Sequence, residues 1–327
     1  MTSRRRFLAG VGALLAARGA RAANFHYRLG LSQPLDSPNY IRLKEMAERV
    51  QADTGGAMQI DVLGAGALGS DNQMIAMVQK GELELYMAGN VWGPLVPVTE
   101  MPGLPFTFKT TQEVFAALDA DLGDYIRGEM LAKGLHQFRL AFDNGFHQLT
   151  TRTRPIRNAD DLAGLTIRTP FQKMTVDFFE SLGAQPKTFT LNQLYKVLQE
   201  QVVDGQTDPY QIIVLLKLYE VQTYLNITNH WWSGFTLNAN VDKWKALPAE
   251  IQAVITRHAD AAALAQRADV AKIDAGALEI LRAKGMKVTE TDTSGFRRQL
   301  GAFYQRWSKV YGPRAWSLLE ARVGKLI

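Results

Sequence analysis

Residues 58–88 read MQIDVLGAGALGSDNQMIAMVQKGELELYMA, and their alternation decides the fold class. Met58–Leu63 is a strand, Asp71–Lys80 a helix capped by Ser70 or Asp71, and Leu83–Ala88 a second strand. Upstream, Phe25–Ser32 alternates as a strand. Asn39–Ala52 places Tyr40, Leu43, Met46, Ala47 and Val50 at helical spacing before Gly55-Gly56 ends the helix. Strand, helix, strand, helix, strand at this spacing predicts βαβ units and a mostly parallel sheet, hence an α/β protein.

A Pro-rich segment (Pro94, Pro97, Pro102, Pro105) follows and reads as a loop wrapping one edge. The pattern restarts after about residue 145. Phe146–Thr151 and Leu165–Arg168 are strands, Phe171–Leu182 and Leu191–Gln199 helices, and Gly205–Asp208 ends a further strand. From Pro248 to about Lys284 the only internal Gly or Pro is Gly276, and apolar residues recur at Ile251, Val254, Ile255, Ala262, Val270, Ile273 and Leu278. A continuous helix there is on the order of 50 Å long at 1.5 Å per residue, enough to brace two domains. Phe296, Leu300, Phe303, Trp307 and Val310 follow 4-3-4-3 spacing and predict a core-facing helix.

The first 22 residues narrow the function. Ser3-Arg4-Arg5-Arg6-Phe7-Leu8 is a twin-arginine export motif, followed by an uncharged apolar stretch to Ala17 and the triplet Ala20-Arg21-Ala22, an A-x-A cleavage site. The apolar stretch is shorter than the roughly 20 residues that span a bilayer. A removable signal, residues 1–22, and a periplasmic protein are expected. The whole chain carries 37 Lys+Arg against 32 Asp+Glu. Five of those arginines (4, 5, 6, 18 and 21) lie in the signal, which leaves 32 against 32. A neutral exported chain lacks the basic face that nucleic-acid binding needs. There is no cysteine, so no disulfide, thiol nucleophile or cysteine-bound metal is expected.

Gly64-Ala65-Gly66-Ala67-Leu68-Gly69 fits G-x-G-x-x-G, with Glu84 twenty residues on. It follows the second strand of the unit, however, and its third glycine precedes the helix. It therefore reads as a glycine-rich loop at the carboxyl edge of the sheet, and no dinucleotide or other cofactor is expected. The five histidines show no metal-binding spacing, and no G-x-S-x-G marks a nucleophile. Trp92, Phe106, Phe146, Phe171, Tyr210, Trp231 and Trp232 crowd the loop ends. With Arg168 they suggest a lined pocket for a small organic ligand.

Three collinear blocks carry a family resemblance. Thr54-Gly55-Gly56, Gly66-Ala67-Leu68-Gly69, Gly81 and Leu104-Pro105-Phe106 form the first. Arg154-Pro155-Ile156 and Asp160-Asp161-Leu162-Ala163-Gly164-Leu165-Thr166-Ile167-Arg168-Thr169-Pro170 form the second, and Val203-Asp204-Gly205-Gln206-Thr207-Asp208-Pro209 the third. In order and spacing these resemble the solute-binding proteins of TRAP transporters. The resemblance implies a two-lobed periplasmic-binding-protein-like α/β fold, a ligand cleft between the lobes and a long helix spanning both. It implies lobe I over 23–145 plus 235–273, and lobe II over 146–234 plus 274–327. It implies a monomer that captures a small organic acid and passes it to ion-gradient-driven membrane subunits.

By the same resemblance Arg168 is the carboxylate clamp, since a planar guanidinium holds both oxygens of a carboxylate. His147 stands where family members often carry a second arginine, and Asp208 where they usually carry asparagine. One cation fewer and one possible anion more favour a monocarboxylate, hydroxylated or aromatic. Trp92, Phe171, Tyr210 and Trp232 are the expected aromatic lining. Two other classes share these signals: a periplasmic enzyme acting on a small organic acid, and a binding or sensor protein without a transporter.

Overall fold

The computed structural model describes residues 25–326; the export signal and its cleavage site lie outside the described residues. Among the described residues eleven strands are formed: β1 (Phe25–Leu31), β2 (Met58–Leu63), β3 (Leu85–Ala88), β4 (Leu135–Gln137), β5 (Phe142–Thr151), β6 (Thr166–Thr169), β7 (Gln185–Thr188), β8 (Gly205–Pro209), β9 (Tyr224–Ile227), β10 (Trp232–Asn240) and β11 (Lys287–Glu290). In the first lobe the order is β2-β1-β3-β10-β4. β1 runs parallel to both β2 and β3, and β10 is antiparallel to β3. In the second lobe the order is β11-β9-β5-β8-β6-β7.

The two longest strands serve both sheets. Trp232–Phe235 of β10 pair with Phe142–Phe146 of β5, whereas Thr236–Ala239 pair with β3. His147–Thr151 of β5 pair with β8. The pairing of β5 and β10 shifts register between Ser233 and Gly234, a bulge at the crossing point. Glycine is required on both strands here. A Cβ on Gly234 would lie 2.1 Å from the Trp232 ring and 2.6 Å from the Phe142 carbonyl, and Gly145 adopts φ +99°.

The long helix runs from Ala249 to Ala283, 35 residues or about 52 Å. It packs on helix Pro38–Asp53 of the first lobe, then on β5 and on helix Tyr210–Leu215 of the second. Gln266, fully buried midway, accepts from the Asp143 backbone N–H (2.8 Å) and donates to the Asp143 carbonyl (2.7 Å), tying the helix to β5 at the crossing. About two turns further along the helix, Asp274 faces Gly145 and is pushed up to about 7 by burial and by nearby Asp143.

Two expectations are corrected. The Pro-rich segment, read as a loop, is not loop throughout. Pro97–Gly103 forms a 3₁₀ turn whose Val98, Glu100, Met101, Pro102 and Gly103 are buried. Glu100 is held against the start of helix Lys173–Ser181, where Met174 N–H donates to it. Among the described residues its Oε2 meets no partner, and burial pushes the carboxyl up to about 8. The C-terminal stripe breaks at Leu300 into helices Ser294–Gln299 and Gly301–Tyr311. Phe296, Leu300, Phe303 and Trp307 are buried, but Val310 faces solvent and Tyr311 takes the inward position.

Candidate functional site

Between the lobes lies a cavity of about 330 Å³. Parallel strands followed by helices put their loop ends at one edge of the sheet, and these loops make the walls. The first lobe contributes Ser32 and Gln33 after β1, Asn90 after β3, and Ser70, Asp71 and Asn72 at the start of helix Asp71–Lys80. The glycine-rich loop shapes the entry to that helix through Gly66 (φ +69°) and Gly69 (φ +114°), while the cavity is lined by the residues after it. The second lobe contributes Arg168 and Phe171, Phe189, Asp208 and Trp231, with Asn144, His147 and Ser233 from the crossing strands.

Arg168 projects from β6 and is 3% exposed. Its Nε and Nη2 donate to the Phe189 carbonyl (3.0 and 2.8 Å), and its Nη1 donates to Asp208 Oδ2 (3.2 Å). A guanidinium has five N–H bonds. Three are used among the described residues, and one on each terminal nitrogen remains. Burial pushes the Asp208 carboxyl up to about 6 against the pull of Arg168. Burial first, and Arg168 second, hold His147 down at about 3, so it is a neutral imidazole at neutral pH. His147 Nδ1 lies 2.9 Å from Thr207 Oγ1 and its Nε2 lies 2.8 Å from Ser233 Oγ. Among the described residues Arg168 is thus the one cation lining a cavity that also holds the carboxylates of Asp71 and Asp208.

Of the seven residues read as ligand-binding, Arg168, His147, Asp208 and Phe171 come together here, Phe171 half-exposed at the mouth. The other three lie elsewhere. Trp92 packs edge-on against Tyr86, and Trp232 donates from Nε1 to Asp143 Oδ1 (2.8 Å). Both border a separate void of about 30 Å³, room for one water. Tyr210 packs into the second lobe's core and is pushed up to about 12, chiefly by burial. Trp231 lines the cavity in place of its neighbour, because successive residues of an extended chain face opposite ways. Ser233, Phe189, Asn90 and Gln33 belong to no motif; only the placement of loops at strand ends could have pointed to them. Among the described residues no group of three or more His, Asp or Glu is placed to hold a metal ion, and no helix is long and apolar enough to cross a membrane.

Comparison with known proteins agrees with this architecture. The chain is 33% identical over 305 residues to the Sinorhizobium fredii protein y4mM, a match covering 90% of this chain and 56% of that protein's length. It is 28% identical to the 2,3-diketo-L-gulonate-binding periplasmic protein YiaO of Escherichia coli, covering 90% of this chain and 89% of the relative. A TRAP periplasmic solute-binding protein of Polaromonas, solved with bound D-erythronate, superposes with a TM-score of 0.85 at 29% identity. That match covers 91% of this chain and 98% of the other. Residues 29–310 match the model of the DctP family. The chain therefore belongs to the bacterial extracellular solute-binding proteins of family 7, the periplasmic solute-binding proteins of TRAP transporters, which bind their ligands and are not enzymes.

Proposed function

We propose that this protein captures a hydroxylated monocarboxylate of the sugar-acid class and delivers it to the membrane subunits of a TRAP transporter. The observation that carries the reading is Arg168: one buried guanidinium with an N–H free on each terminal nitrogen, in a cavity with no second cation among the described residues. The free pair matches one carboxylate. The facing wall of Ser32, Gln33, Ser70, Asn72 and Asn90 offers hydroxyl and amide groups suited to a polyol chain rather than to a second carboxylate. Phe171, Phe189 and Trp231 supply apolar faces for its carbon skeleton. The relatives named for 2,3-diketo-L-gulonate and bound to D-erythronate carry ligands of this kind.

The lobes, 23–145 with 235–273 and 146–234 with 274–327, close on the ligand by bending at the crossing strands. The change of pairing partners along β5 and β10 supports that division. Arg4-Arg5-Arg6-Phe7-Leu8 supports export by the twin-arginine route.

The test is a thermal-shift and calorimetric panel of D-erythronate, 2,3-diketo-L-gulonate, D-glucuronate, succinate and benzoate, run on the wild type and Arg168→Ala. Sugar monocarboxylates are expected to bind and the others not. Arg168→Ala should lose ~3–5 kcal/mol, roughly 10²–10³-fold in Kd or more. Tighter binding of succinate or benzoate than of every sugar acid would overturn the class. A loss below about tenfold in Arg168→Ala would overturn the clamp.

A further inference from the structure

Behind the cavity wall five side chains stand in single file. Thr228 Oγ1 lies 2.7 Å from His230 Nδ1, and His230 Nε2 lies 2.9 Å from Thr207 Oγ1. Thr207 Oγ1 lies 2.9 Å from His147 Nδ1, and His147 Nε2 lies 2.8 Å from Ser233 Oγ. All five are buried, and only His147 and Ser233 reach the cavity. Burial holds both imidazoles neutral, His230 well below its usual range and His147 at about 3.

Proton counting gives the file a direction. Each hydroxyl has one hydrogen and each neutral imidazole one N–H; among the described residues Thr207 Oγ1 meets only the two imidazoles, so its hydrogen is satisfied only by donating to one of them, and donation runs one way through the file. The two ends decide which way. Among the described residues Thr228 Oγ1 meets no partner besides His230, so its hydrogen is satisfied only by donating to His230 Nδ1. At the other end, Gln211 Nε2 donates to the Asn144 backbone carbonyl (2.8 Å) and to Asn144 Oδ1 (2.9 Å). That orients the Asn144 amide so that its Nδ2 donates to Ser233 Oγ (2.9 Å). With donation running from Thr228 to Ser233, Ser233 accepts twice, from Asn144 and His147, and its own hydrogen is left over on the cavity wall. The reverse order would strand the Thr228 hydrogen in the core, which is costly.

We propose that Thr228, His230, Thr207 and His147 are positioning residues that fix Ser233 as a hydrogen-bond donor into the cavity, so that the ligand must present an acceptor oxygen, of a carboxylate or carbonyl, at that point. This rests on the cavity being the sugar-acid site. It gives His147 a role that does not need the charge of an arginine. The bulge at Ser233 aims the hydroxyl.

The first measurement needs no ligand. Long-range ¹H–¹⁵N correlation on the full chain labelled in histidine, with the five histidines assigned by single substitutions, reports which ring nitrogen carries hydrogen. Nε2–H on both His147 and His230 is expected; Nδ1–H on either overturns the device. In the second, Ser233→Ala is titrated with the tightest-binding acid of the panel above. A loss of about tenfold or more is expected with both tautomers unchanged. Unaltered affinity in Ser233→Ala, with binding abolished in Arg168→Ala, would overturn the role of Ser233 and leave the sugar-acid reading intact. If no sugar acid binds the wild type, that reading falls, and the tautomers still decide the direction of the file.

Discussion

Glu100→Gln is expected to stabilise the protein at pH 8 and to change it little at pH 5. Glu100 is buried at the start of helix Lys173–Ser181 with Oε2 unpaired, and burial lifts it from an ordinary 4.5 to about 8. The folded state therefore keeps its proton where the unfolded state has released it. Stability from this group is fully present below about 4.5 and is lost as pH rises toward 8. At about 1.4 kcal/mol per pH unit, the loss is on the order of 3 kcal/mol by pH 7 and approaches 5 at pH 8. Glutamine cannot ionise. Its amide inherits the unpaired position, at ~1–3 kcal/mol, but the protonated carboxyl leaves an O–H unpaired there too, so that cost is common to both. Asp208 and Asp274, pushed up to about 6 and about 7, also tilt the wild-type curve and cancel in the comparison. Differential scanning calorimetry of both proteins at pH 5, 6, 7 and 8 reads the effect. At about 2 °C per kcal/mol for a chain of this size, the midpoints should separate by roughly 6 °C or more at pH 8 and nearly coincide at pH 5. A separation independent of pH would show that Glu100 ionises freely and would refute the burial argument.

Asp208→Asn should weaken a sugar acid that has a hydroxyl facing Asp208 and spare the matching deoxy acid, since a carboxylate facing no donor is itself costly; calorimetry on both acids that shows equal tightening would reduce Asp208 to a counterion of Arg168. Saturating ligand should lower the radius of gyration in solution scattering as the crossing strands bend; superimposable profiles would exclude hinge closure. Gln266→Leu strands the Asp143 N–H and carbonyl in a buried site and should cost ~2–4 kcal/mol in urea unfolding; a change below about 1 kcal/mol would mean the helix does not pin β5.

The regular elements were legible wherever one side-chain period held over the whole element. Met58–Leu63 alternates buried and half-buried residues, and helix Leu191–Gln199 keeps Leu194, Val197 and Leu198 inward, so their ends read correctly. The start of β5 did not. Phe142–Gly145 carries Asp143 and Asn144 because its partners are Trp232, Gln266 and Gln211, polar contacts that hydrophobic alternation does not register. The burial of the Pro-rich segment was not legible at all: proline marks a turn but says nothing about depth, and this segment is roofed by the C-terminal helices through Tyr304, whose hydroxyl donates to the Pro105 carbonyl. In the site, Arg168 and Asp208 were accessible through the family blocks. Ser233 was not, because its role comes from a bulge and from Thr228 and His230, which are unremarkable in sequence.

The path of β10 bears on how the chain is made. The first lobe's sheet has β10 between β3 and β4, yet β10 is synthesised more than 140 residues after β3 ends. A nascent chain that stops short of Trp232 holds β2, β1 and β3 with an open edge on β3, and β4 with no strand to join. Such an edge is a template for pairing with another chain. Sequence-distant pairing of this kind also slows folding. The ribosome cannot release a finished first lobe while it makes the second. The first lobe's sheet closes only once β10 has been laid between β3 and β4, and until then the exposed flank of β3 is where a holding chaperone is most needed.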